Sequence, residues 1–112
     1  MKKIEAIVRP EKVDEVRRAL EASGYPGITI TQIEGHGKQK GVTRQWRGEV
    51  YKIDLLSKTK VEIVASDKDQ EKIVSAIQKA AGSNSVGDGK IFVSNIDEVV
   101  RIRTGERGEK AL

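Results

Sequence analysis

Cysteine is absent from this 112-residue chain, which removes disulfides and thiolate metal sites from consideration. Histidine occurs once, at His36, so no histidine metal cluster can form within one chain, and no Ser/His/Asp relay stands out. No pair of carboxylates presents itself as general acid and base. Aromatic residues make up 4% of the chain, thin for a surface that stacks bases. No apolar run approaches the roughly 20 residues needed to span a bilayer. The opening MKKIEAIV has two lysines but neither a long apolar core nor a small-residue cleavage site, and it reads as a strand rather than a signal peptide. A cytoplasmic location is the expectation.

What is present suits one soluble domain spanning residues 1–112, with 37% apolar and 34% charged residues. The net charge is +4 and the pI about 9.4, so nucleic acid is a legitimate alternative partner on charge, with the few aromatics against it. That surplus is concentrated. Between Gly35 and Lys58, Lys38, Lys40, Arg44, Arg47 and Lys52 face only Glu49 and Asp54, a local excess of three. The same stretch begins with Gly35, Gly37 and Gly41 and lacks sustained apolar alternation before Tyr51. A connection this long in a small domain is usually functional or disordered. Doubled back as a hairpin, each arm of roughly nine residues would reach at most about 30 Å.

Period-two alternation predicts a strand over Lys2–Val8, and helical spacing of Val13, Val16, Ala19 and Leu20 predicts a helix over Glu11–Ser23, stopped by Gly24. A second strand is expected over Ile28–Ile33 and a third over Lys60–Ala65. Ser66 or Asp67 then caps a second helix, with Gln70 completing a capping box and Ile73, Val74, Ile77, Ala80 and Ala81 forming its buried stripe. Gly82 ends that helix. A loop over residues 82–90 leads to a strand at Ile91–Ser94. A fifth strand-like piece is expected over Val99–Arg103, followed by a polar tail. The order is βαβ twice, an α+β class chain. Right-handed crossovers place both helices on one face of a four-stranded antiparallel sheet, the ferredoxin-like βαββαβ sandwich. The other face would be bare in a monomer, which predicts burial against another subunit.

Several residues could carry chemistry. Gly87-Asp88-Gly89-Lys90 reads either as a loop whose backbone N–H groups approach a phosphate or as a plain turn. Arg101 and Arg103, two apart on a strand, would leave the same face and could grip an anion, or be solvated edge residues. Lys58 and Lys60 repeat that spacing. Gln39 could offer a neutral oxygen to a hard cation such as Mg²⁺, or do nothing. A phosphatase-like enzyme and an RNA-binding module use similar folds. The first lacks a nucleophile or base set here, and the second would need aromatic residues on the open sheet face.

Taken together, MKKIEAIVRPEKVDEVRRAL, GKQKG, SNSVGDGKIFV and VVRIRTGE, in that order and separation, resemble the PII signal-transduction proteins, and more narrowly their GlnK-type members. The resemblance covers the whole chain. It implies a non-enzymatic nitrogen regulator, a compact homotrimer with a long regulatory T-loop over about residues 37–55, a nucleotide loop over 82–90 and a C-terminal strand and tail over 99–112. It implies ATP or ADP bound between subunits, cradled by Gly87, Asp88, Gly89 and Lys90, clamped by Arg101 and Arg103 of the neighbouring subunit, and lined by Gly35, Gly37 and Lys38. Lys38 stands where the family has arginine. It further implies Mg²⁺ held through ATP and Gln39, chelated by 2-oxoglutarate, with Lys58 on the far carboxylate and Lys40 and Gly41 at the loop base. The partner it implies is an ammonium channel at the membrane, entered by Arg47, or a soluble enzyme such as glutamine synthetase, and not nucleic acid. Tyr51 is the candidate modification site, within Trp46-Arg47-Gly48-Glu49-Val50-Tyr51, where Trp46, Glu49 and Val50 depart from the family's motif and Glu49 replaces a serine that is phosphorylated in another branch.

Overall fold

Alternation along Lys2–Val8 is realised as β1, in which Ile4, Ala6 and Val8 are buried and their neighbours are not. β1 lies at the centre of the structure. The computed structural model describes residues 1–35, 43–46, 49–52 and 56–112. Within it, α1 (Val13–Ala22), β2 (Thr29–Gly35), β3 (Thr43–Trp46), β4 (Glu49–Lys52), β5 (Leu56–Ala65), α2 (Gln70–Ala81) and β6 (Lys90–Asn95) follow in order. The main sheet has strand order β2-β5-β1-β6, antiparallel throughout, with β3 and β4 paired as a separate ribbon. This is the ferredoxin-like arrangement expected from two βαβ units.

One sheet face is sealed by the helices. Val16 and Leu20 of α1 and Ile73, Ile77 and Ala81 of α2 are buried against Ile4, Ala6, Val8, Val61, Ile63 and Ala65. Their spacing of three and four puts each set on one helix side. The opposite face carries Ile7, Ile33, Val64 and Phe92 by strand register, interrupted by a charge ladder. Lys60 pairs with Glu62 at 2.9 Å, Lys3 with Glu5 at 2.7 Å, and Lys3 with Glu62 at 3.9 Å. Among the described residues Phe92 is the only aromatic on that face, and it is 53% exposed.

Four sequence-based expectations need correction. β2 starts and ends later than Ile28–Ile33, and β5 starts four residues before Lys60. Neither helix begins where predicted. Each is preceded by a 3₁₀ turn, Pro10–Lys12 before α1 and Asp67–Asp69 before α2. The capping box at Ser66 or Asp67 does not form. The 3₁₀ turn moves the α2 start to Gln70, and the Asp67 carboxylate pairs instead with the Met1 amino group at 2.8 Å. Finally, Val99–Arg103 is not a strand. Gly108 N–H donates to the Val99 carbonyl, Arg101 N–H to Glu106, and Gly105 N–H to Arg101, so the segment turns on itself with one bridge, Val100 to Arg107. Gly105 and Gly108, at φ of 73° and 72°, permit that reversal.

Candidate functional site

The strand register collects the candidate residues at one end of the sheet. Gly35 closes β2 opposite Leu56, Lys58 near the start of β5 faces Ile33, and Lys90 opens β6 opposite Ile7. The loop over residues 82–89 descends to that end from α2. It contains three left-handed residues, Asn84 (φ 60°), Gly87 (φ 99°) and Gly89 (φ 98°). Gly89 is fixed by space as well as by angle, because an added Cβ would lie 1.7 Å from the Ile7 carbonyl oxygen.

Asp88 turns inward and organises the loop. Its carboxylate accepts from the Ser83 N–H at 2.7 Å, the Ser83 hydroxyl and the Ser85 N–H at 3.3 Å. The Ser83 hydroxyl and N–H, joined by Ser85 and Arg9, hold that carboxyl far below the usual carboxylate range. The acid is thereby spent inside the loop rather than repelling an anion in front of it. Two cations grip the loop from below. Arg9 Nη2 donates to the Val86 carbonyl at 2.7 Å and its Nε to Asp88 at 3.4 Å, while Lys58 Nζ donates to the Gly87 carbonyl at 2.7 Å. Burial, and then the neighbouring Arg9, lower the Lys58 pKa, with Glu11 and Asp88 opposing. The first cause is lost hydration of the ammonium and the second is repulsion by a like charge, and a nearby anion would oppose both.

Beside this cluster a cleft of about 490 Å³ is lined by Pro10, Gln32, Ile33, Glu34, Ser57, Lys58 and Thr59. A second, of about 350 Å³, runs between Ile7, Val8, α2 and Asp88 to Ile91. Thus Lys58 bonds the loop at Gly87 and lines the first cleft, while Gly89 and Lys90 line the second beside the apolar Ile7, Val8, Val74 and Ile77, an arrangement of positive charge and backbone that could receive an anion. Among the described residues no group of three or more His, Cys, Asp or Glu side chains could hold a metal.

Arg101 and Arg103 are not brought there. β6 leaves the sheet at the Met1 end, where Ile96 N–H donates to Met1, and the C-terminal segment follows from it. The expectation that the two share a strand face is overturned with the strand itself. Arg101 bonds its own segment through Glu106 Oε1 at 3.2 Å and the carbonyls of Lys110 and Leu112, while Arg103 is exposed. Lys60 is engaged by Glu62 and does not join Lys58. His36, Gly37, Lys38, Gln39, Lys40, Gly41 and Arg47 lie outside the described residues, and Tyr51 is placed on β4 opposite Arg44. Arg9 is the residue that sequence reasoning missed. Its partners lie 77 and 79 residues away, so no spacing in the sequence pointed to it.

Fold and site together define a small ferredoxin-like domain with a glycine-bearing loop held by Arg9 and Lys58 at one sheet end. A family model described as nitrogen regulatory protein P-II matches residues 1–106. Nitrogen regulatory protein P-II 2 of Methanothermobacter thermautotrophicus is 56% identical over 112 residues, covering all of this chain and 97% of that protein. Nitrogen regulatory protein P-II of Rhizobium meliloti and that of Azospirillum brasilense are 54% and 53% identical, with full coverage of both chains in each case. The chain belongs to the P-II family of nitrogen regulatory proteins. No helix among the described residues is long and apolar enough to cross a membrane.

Proposed function

We propose that this protein is a PII-type sensor, not an enzyme, that binds ATP or ADP between the subunits of a homotrimer and regulates an ammonium channel through the arm between β2 and β5. The single observation supporting the reading is positional. The cradle of Gly87 and Gly89, the cations Lys58 and Lys90, and both roots of the arm, Gly35 and Leu56, share one sheet end. A ligand bound there changes charge at the place where the arm starts.

In this reading the left-handed glycines and Lys90 receive phosphate oxygens, and Arg101 and Arg103 come from a neighbouring copy, which the self-paired C-terminal segment would have to release. Lys58 receives the far carboxylate of 2-oxoglutarate, whose negative charge relieves the local excess of positive charge beside Arg9. Gln39, with Lys40 and Gly41, completes that second site. Mg²⁺ would come with ATP and lower the charge of the assembled anions. Because the two ligands meet around one loop, their binding is coupled, typically by about 1–3 kcal/mol and reciprocally.

Calorimetry with ADP, ATP, Mg²⁺-ATP and 2-oxoglutarate, singly and combined, tests the sensor. Nucleotide uptake is expected, with 2-oxoglutarate bound only beside Mg²⁺-ATP. A protein indifferent to millimolar adenine nucleotides, or monomeric in sedimentation, would overturn the reading. For the partner, Arg47→Ala is expected to keep nucleotide affinity and lose capture of an ammonium channel in a pull-down. Capture of glutamine synthetase instead would redirect the same sensor to a soluble enzyme.

A further inference from the structure

The anion loop is held by a residue outside it. Arg9 follows the buried Val8 and precedes the Pro10–Lys12 turn, so its backbone is fixed on both sides. Its guanidinium reaches two different parts of the loop, the Val86 carbonyl at 2.7 Å and Asp88 Oδ1 at 3.4 Å. Asp88 is also the point on which the Ser83 and Ser85 N–H groups converge. One planar side chain therefore ties a backbone carbonyl next to Gly87 to the carboxylate next to both left-handed glycines. The Arg9 and Asp88 side chains are 20% and 23% exposed, so the contact is partly shielded from water, unlike a fully solvated surface pair.

We infer that Arg9 is a positioning residue for phosphate recognition, acting through Asp88 and the Val86 carbonyl to keep the Gly87 and Gly89 backbone in its anion-receiving shape. This rests on the nucleotide reading above and deepens it. The fork of the guanidinium matters because it satisfies two acceptors at a fixed angle. An ammonium is a point donor and would hold one acceptor well and the other poorly. The sharpest competing role is direct contact between Arg9 and a phosphate. The two are separable, since residues acting through each other give non-additive effects and independent contacts give additive ones.

The test uses the full chain with Arg9→Ala, Arg9→Lys, Asp88→Asn and the double variant Arg9→Ala/Asp88→Asn, and ADP without Mg²⁺ as the probe. Arg9→Ala is expected to weaken ADP about tenfold and Arg9→Lys about threefold, with the double variant within about twofold of the weaker single variant. Multiplying effects in the double variant, or unchanged ADP affinity in Arg9→Ala, would overturn the inference. A second readout needs no ligand. Amide hydrogen exchange at Ser83, Ser85 and Asp88 is expected to accelerate about tenfold in Arg9→Ala, while β1 and α2 keep their protection. Unchanged exchange in the loop overturns the inference whatever the nucleotide does. Accelerated exchange in a protein whose unsubstituted form takes up no ADP would uphold the grip of Arg9 on the loop and overturn the nucleotide reading instead. If Arg9→Ala fails to fold, Arg9→Lys carries both readouts.

Discussion

The two halves of the molecule, β1-α1-β2 and β5-α2-β6, enter their helices alike and leave them differently. Each entry is an extended residue, Arg9 or Ser66, followed by a 3₁₀ turn. After α1, Gly24 at φ 93° closes the helix, with its N–H on Glu21 and the Tyr25 N–H on Leu20, the double bond of a Schellman stop. Tyr25 then packs on the core and donates its hydroxyl to Asp69 at 2.8 Å. After α2, Gly82 is extended instead, and the loop folds around Asp88 while Gly87 and Gly89 are held outside the core. The same scaffold is therefore stapled shut at one exit and held open by an inward acid at the other. The two exits differ in where their hydrogen bonds go, to the partly exposed Asp88 carboxylate after α2 and to the helix end after α1.

The largest break in that comparison should come from the glycines. Gly89→Ala meets both a strained angle and the Ile7 carbonyl, and is expected to cost about 3 kcal/mol or more in urea unfolding. Gly24→Ala has the same sign of φ but nothing within 4 Å, and should cost about 1 kcal/mol. Equal costs would mean that close approach does not distinguish the two exits. Asp88→Asn comes next. Its folded-state pKa is depressed, so its stabilising contribution is whole above the usual carboxylate pKa of about 4 and fades as pH falls through the lower folded value. The gap in urea midpoint between the unsubstituted protein and Asp88→Asn should be constant near neutrality and shrink below about pH 4. A gap that widens in acid would contradict the inward-acid picture. Tyr25→Phe removes only the bond to Asp69 and should lower the thermal midpoint by a few degrees without touching nucleotide uptake. The smallest effect is expected for Glu106→Gln, which loosens an exposed Arg101 pair and should shift stability by no more than about 0.5 kcal/mol.

Much of the fold was legible because burial imposes a period. Ile4, Ala6 and Val8 alternate, and Val16 with Leu20 and Ile73 with Ile77 repeat every four residues, since only one face of each element meets the core. Val99–Arg103 deceived for the same reason in reverse. Val100 and Ile102 alternate with arginines as a strand would, yet Ile102 is fully exposed and the segment bonds to itself, with Gly105 and Gly108 supplying the turns. A capping box was equally legible and equally absent, because the Met1 amino group competes for Asp67. At the site, spacing marked the glycine turn and Lys58 only as candidates, and their roles came with the family resemblance. Arg9 could not be marked even as that, because its partners are 77 and 79 residues away and a lone arginine beside a proline carries no period.

Both roots of the cationic arm emerge from the sheet end that carries the glycine cradle, with Gly35 and Leu56 paired across neighbouring strands. Two ends held side by side on neighbouring strands cannot move apart without breaking that pairing. Whatever alters the sheet at this end therefore acts on the entry and the exit of the intervening segment together.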